Sequence, residues 1–350
     1  MRSTQHVSGP SLERRRIPPA RFAGTRVRND SLSSRSRVTA LLRRLWSASP
    51  PLTAVGLLML VVTIPSAIGI FVDPRTIVGA PAWLKPFKFA VSSAIYCLTL
   101  AWIFGYLSDW PRMRRVVGWT TAIVFVLEVA IIDMQAWRGT TSHFNVATTL
   151  DGVLFSVMGT AIVLQTLVSV AVAVALWRRR FADRSLGWAL RLGMTLTIAG
   201  AMTGGLMTRP TAEQLADARA GRGMQVVGAH TVGAPDGGPG IPMTGWSREH
   251  GDLRVPHFIG LLALQVLALI AIGVRQWRRP EGVRVRAVLA AAASYASLFL
   301  LLLWGALRGQ SLVAPDAMVL ASIAIWGALT LLVFAWIGFG SRHVPNRRAA

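Results

Sequence analysis

The stretch "VVGWTTAIVFVLEVAIIDM", residues 116–134, is apolar for nearly the whole length that a bilayer core demands of a helix, yet it carries Glu128 and Asp133. A carboxylate in hydrocarbon is costly unless it is paired, hydrated or protonated, so two in one span mark a membrane protein with a polar feature inside it. The rest of the chain has the same character. With 53% hydrophobic and 15% charged residues over 350 positions, and a mean hydropathy of +0.49, it is too apolar for a soluble domain and too long for a single anchor.

The apolar runs predict eight spanning helices, at 52–72, 87–107, 116–134, 152–176, 186–207, 255–274, 287–307 and 316–340. The expected fold class is all-α, a polytopic transmembrane helix bundle of about eight spans, with one long external loop, 208–254, lying over it as a lid. Residues 1–50 are rich in Arg and Ser and read as a disordered cytoplasmic tail, 51–340 as the helical domain, and 341–350 as a second cytoplasmic tail. The Arg-rich, acid-poor N-terminus also fits an organellar transit peptide, although an Arg-heavy bacterial chain accounts for it. Such a tail is drawn to anionic lipid head groups.

The formal net charge of +22 is largely a matter of orientation. If the N-terminus is cytoplasmic, 26 Lys and Arg fall on inner segments and ten on outer ones, with Arg191 inside the fifth span. The positive-inside bias then places both termini in the cytoplasm of a bacterial inner membrane, and no nucleic-acid partner is implied. Oligomeric state leaves no mark in the sequence. The single cysteine, Cys97, excludes an intrachain disulfide, a Cys-ligated cluster and a C-x-x-C-H haem attachment. A metal site would have to be built from His and carboxylates.

Those residues gather on one side. The lid opens with Thr211 and Gln214 at capping-box spacing, followed by Gly221 where a short helix can stop. It continues through a Gly/Pro-dense stretch holding His230, Asp236, Trp246, His250 and Asp252, and His257 opens the sixth span. His143 precedes the fourth. His143, His230, His250 and His257, expected near each other and near Asp133 or Asp252, are the raw material of a metal or haem site, since neutral imidazole offers a lone pair that a carboxylate can orient. No H-x-x-x-H or H-E-x-x-H is present, so the ordinary reading of each histidine is a loop-ordering hydrogen bond.

Within the spans, Glu128 and Gln135 share a helix face while Asp133 is rotated from it. Lys85 and Lys88 enter the second span from the lid side, so Lys88 is expected to pair with Glu128 or Asp133, as part of a relay or as a structural bridge. Asp151 suits the start of the fourth span. Gln165 and Gln265 are expected to bond between helices, Arg191 to snorkel to the inner head groups, and Gly200–Gly204 and residues 290–297 to pack closely.

Five stretches, "WLKPFKFAVS" (83–92), "RGTTSHFN" (138–145), "DGVLFSVMG" (151–159), "HTVGAPDGGPGIP" (230–242) and "GDLRVPHF" (251–258), together resemble a family of bacterial multi-pass membrane proteins with no established activity. The resemblance covers residues 80–270 and implies a shared topology. It also implies a second histidine five residues after His257, where this chain has Leu262.

Three classes of function are compatible with these residues: a ligand, metal or haem site at the outer face; a proton- or ion-coupled transporter using Glu128, Asp133 and Lys88; and an assembly or sensor protein whose lid meets a partner. No nucleophile elbow, phosphate loop or dinucleotide fingerprint is present. Reporter fusions after Arg180 and Arg279 should read as cytoplasmic and one near Gly238 as external; an internal signal at Gly238 would overturn this orientation.

Overall fold

The computed structural model describes residues 34–340. The segments 1–33 and 341–350, with His6 and His343, lie outside the described residues. The chain divides at Ala40 into two compact units, and the second, from Leu41 onward, contains the helix bundle. Among the described residues ten helices carry the fold: α1 (Ser34–Ala48), α2 (Pro50–Val72), α3 (Leu84–Phe104), α4 (Pro111–Trp137), α5 (Thr149–Arg178), α6 (Arg184–Met207), α7 (Ala212–Arg219), α8 (Arg254–Arg275), α9 (Glu281–Leu307) and α10 (Ala317–Gly340). Four two-residue strands lie in the loops: β1 (Thr76–Ile77), β2 (Ala80–Pro81), β3 (Thr231–Val232) and β4 (Gly251–Asp252).

Seven of these helices, α2 to α5 and α8 to α10, are long and apolar enough to cross a membrane. The protein is an all-α, multi-pass membrane bundle. The eighth expected span, α6, has the length but not the apolarity, for it contains Arg184, Arg191 and five glycines. It packs most closely on α8 and also against α5 and α9, so much of its surface meets protein and need not be apolar. The tail reading also needs correction, because α1 occupies its last part; the apolar run VTALLRRLW between Arg37 and Ser47 supports a helix.

Eight helices run in alternating directions between a lid side and an opposite side. On the opposite side Arg179 pairs with Asp109, Arg275 lies 3.8 Å from Asp183, and the amide of Arg184 donates to Glu281. Arg191 stays at that end but does not reach for head groups. Its Nε and Nη2 donate to the carbonyls of Leu176 and Arg179, closing the C-terminus of α5, and Trp177, Phe181 and Trp188 surround the guanidinium.

At the lid end, α6 and α8 touch backbone to backbone. A Cβ on Gly200 would sit 2.5 Å from the carbonyl carbon of Gly260, so no side chain fits there. In the 290–297 stretch, Tyr295 donates to the Ile259 carbonyl and Ser294 bonds Thr330, tying α9 to α8 and α10. Of the two glutamines, Gln165 bonds Ser169 one turn along its own helix, and Ser169 in turn meets Tyr96 of α3. The side-chain oxygen of Gln265 is buried without a partner, contrary to expectation.

Gly200→Ala should therefore destabilise the bundle by about 1–3 kcal/mol through overpacking, read as a lower Tm in detergent. An unchanged Tm would mean that α6 and α8 can separate freely.

Candidate functional site

The lid is anchored along its whole length. It leaves α6, forms α7 with the expected capping box between Thr211 and Gln214, and turns at Gly221, where φ is +73°. The Gln214 side chain then clasps Gly228 through both its oxygen and its nitrogen. Ala229 donates to Met207 O, Val227 to Phe144 O and Val146 to Gln225 O, which fastens the lid to the end of α6 and to the 138–148 loop. Strands β3 and β4 pair antiparallel, with Thr231 opposite Asp252, and return the chain to α8. Lys88 Nζ donates to the Thr244 carbonyl at 2.7 Å and Ser311 to that of Arg248, securing the Gly/Pro-rich part.

The 138–148 loop is fixed from beneath. Thr148 caps α5, and the buried Asp151 accepts from Thr148, Gln135 and Arg138. This is the helix-start role expected of Asp151. The loop then throws Phe144 into the left-handed region at φ +64°, a conformation that a bulky residue rarely keeps unless its surroundings impose it. Phe144 is buried, its carbonyl receives the lid, and its ring lies 4.8 Å from that of His230 and 6.2 Å from that of His143.

Three of the four candidate histidines come together here. His230 sits 2.6 Å from Asp236 through Nδ1, and Asp236 also accepts the amides of His230 and Thr231. Burial pushes the Asp236 carboxyl up, but these hydrogen bonds outweigh it and hold the group well below the ordinary carboxylate range. The ionised Asp236 therefore keeps the proton of His230 on Nδ1. His257 Nδ1 lies 2.8 Å from Gly200 O; a carbonyl can only accept, so this imidazole too has its proton on Nδ1. His143 Nδ1 meets Ser142 Oγ at 3.1 Å, and its ring stands 5.7 Å from that of Phe89. Burial first, then the charge of Lys85, keep His143 well below its usual titration range. No Nε2 of the three forms a hydrogen bond with a described residue.

Glu128 faces the same region from α4. It is 2% exposed, and neither of its carboxyl oxygens has a hydrogen-bond partner among the described residues. The cation that acts on it is Lys85, at the start of α3, whose field also meets Asp236 and His143. Lys85 itself forms no hydrogen bond or ion pair with the described residues; its ammonium stands 5.9 Å from the centre of the Phe89 ring.

The remaining candidates go elsewhere. Lys88 pairs with neither Glu128 nor Asp133, because its ammonium is held by the lid carbonyl of Thr244. Asp133 is partly buried and, against the expected pairing with Lys88, has no ion-pair partner among the described residues. Asp252 is taken by Arg254 in a bidentate pair and by the amide of Ser247. His250 makes its bond through the backbone, to Ser247 Oγ, and its ring joins none of the others. Position 262 is 43% exposed on the flank of α8, so a histidine there would point away from the cluster. Among the described residues no three His, Cys, Asp or Glu side chains form a group that could hold a metal ion. Lys85, which sequence reasoning passed over in favour of Lys88, is the basic member of the site; its position one helical turn before Lys88 was the available signal.

The chain was also compared with family models, with curated proteins and with solved structures, and nothing matches in any of the three.

A histidine held neutral in the fold is favoured unprotonated there, whereas the unfolded chain takes up a proton below about pH 6.5. The stability associated with His143 is thus complete above pH 6.5 and is lost as the pH falls below it. Tm measured from pH 8 to pH 5.5 should drop, and His143→Asn should flatten part of that slope. Identical slopes in the two proteins would show that His143 is not kept neutral by the site.

Proposed function

We propose that this multi-pass membrane protein binds a small polar ligand beneath its lid, at a site formed by Glu128, Lys85, His143, His230 and His257. The single observation that carries this reading is Glu128: a carboxyl group 2% exposed in a spanning helix, with both oxygens unsatisfied by the protein. Such a group is retained in a membrane bundle for what it meets from outside the chain. Lys85 supplies donors, the imidazole Nε2 atoms and Glu128 supply acceptors, and the phenylalanines supply an apolar wall. The ligand that suits them is compact, carries O–H or N–H groups, and has one acceptor for Lys85.

The cation distribution supports a lid facing outward from a bacterial cytoplasmic membrane, with both termini inside and the Arg-rich tail near anionic lipids. The position of Glu128 in a spanning helix also favours a second reading, in which the bound species or a proton moves across the membrane. The likeness of the loop motifs to those of bacterial multi-pass proteins accords with either.

Thermal scanning of the detergent-purified protein against small polar compounds tests the first reading. A ligand at a hundredfold excess over its Kd adds about 2.7 kcal/mol, a readily measured rise in Tm. That rise should be lost in Glu128→Gln and in Lys85→Met. If compounds that stabilise the wild type stabilise both variants equally, or if none stabilises it, the site is not where the ligand binds.

A further inference from the structure

The chain contains 37 Lys and Arg, and only two of these are lysines, Lys85 and Lys88. Wherever a fixed positive charge is wanted, this sequence uses arginine: in the tails, in the loops, and in the ion pairs of Arg138, Arg179, Arg254 and Arg308. Both lysines stand at the beginning of α3, beneath the lid. A guanidinium stays protonated in a protein, whereas an amine can give up its proton and present a lone pair. Lys88 has a structural task, since it holds the Thr244 carbonyl. Lys85 makes no hydrogen bond or ion pair with the described residues; its ammonium stands 5.9 Å from the centre of the Phe89 ring, which lies 5.7 Å from that of His143, and its field meets Arg254 and Lys88 as well as Glu128 and Asp236.

We propose that Lys85 is an amine nucleophile that holds a carbonyl compound, an aldehyde or ketone, as an imine within the lid site. This rests on the reading of that site as a ligand site and names the ligand's class. One of the neutral imidazoles or the Glu128 carboxylate takes a proton from the ammonium. The freed Nζ lone pair attacks the carbonyl carbon, and the C=O π pair moves onto oxygen. Two protons reach that oxygen in turn, one from Nζ and one returned by the base, so that the C–O bond breaks and water leaves. The product is a protonated imine carrying the one positive charge that the ammonium had, with Glu128 as its counter-ion. No oxidant or reductant takes part, and hydrolysis by the reverse path releases the ligand. His230, held in one tautomer by Asp236, presents the lone pair of Nε2 and is a suitable carrier of these protons.

The lysine pair provides its own reference. The full chain, purified in detergent, is incubated with benzaldehyde and sodium cyanoborohydride, which traps imines as stable secondary amines, and the peptides are mapped by mass spectrometry. Lys85 should be modified about tenfold faster than Lys88, as expected for an amine that is not tied to a carbonyl. Lys88→Arg should leave modification at 85 intact, and Glu128→Gln should slow it. Equal rates at the two lysines, faster reaction at Lys88, or modification confined to the terminal amine would overturn the proposal. A non-carbonyl compound that still stabilises the wild type but not Glu128→Gln, with Lys85 unmodified, would discard the imine while leaving the ligand site standing.

Discussion

The backbone contact between α6 and α8 at Gly200 and Gly260 is the constraint on which the rest of the lid end depends. Because two glycines let the helices touch, the carbonyl of Gly200 comes within 2.8 Å of His257, one turn before Gly260 on the facing helix. The lid begins and ends on the same two helices. Ala229 bonds the last residue of α6, and Leu253, just before α8, bonds the carbonyl of His230. The spacing of α6 and α8 thus sets the distance between the roots of the lid, and with it the position of the His230–Asp236 pair. A wider separation, as any larger side chain would force, would displace both His230 and His257.

Much of the fold is legible in the sequence because the bilayer reduces the problem to one dimension. A run such as 116–134 has a single stable form in lipid, and the Thr211 and Gln214 spacing fixes a cap by purely local geometry. The prediction weakens where a helix meets protein on most sides. In α6 the glycines and Arg191 lower the apolar signal, and only the tertiary structure shows Arg191 closing the end of α5. The site was legible by composition and not by pairing. The gathering of His and acidic residues on one side is visible in the chain, but which carboxylate meets which base depends on side-chain direction. Asp236 and Asp252 look equivalent in sequence, yet Asp236 is bound to His230 while Asp252 is bound to Arg254, two residues away. Lys88, the obvious partner for Glu128, is diverted by a lid carbonyl 156 residues further along the chain.

The electrostatics of the site are arranged so that its charges are few and mostly already compensated. Asp252 is neutralised by Arg254, and the ionised Asp236 is held by hydrogen bonds from His230 and Thr231, while Lys85 and Glu128 have no direct hydrogen-bond or ion-pair partner among the described residues. In a low-dielectric setting each acts on the other over a distance at which water would screen them. The three imidazoles add polarity without adding charge, and Phe144, held in a strained backbone conformation between two of them, separates their rings with an apolar one.

At the far edge of the bundle the physical regime changes. Only 6% of the apolar window of α10 is buried, and its packing is mainly against α9. Most of its side chains are exposed on the outside of the bundle, and a helix of this apolarity partitions into a bilayer by its summed hydrophobicity rather than by the fit of one surface to another. What such a segment requires of its sequence is a sum and not a shape: Leu, Ile, Val or Phe can exchange across its outer face with little consequence, whereas the same exchanges around Gly200 would not be tolerated. The protein therefore joins two kinds of heredity in one chain, a specified interior in which single atoms matter and a rim answerable only to its average composition.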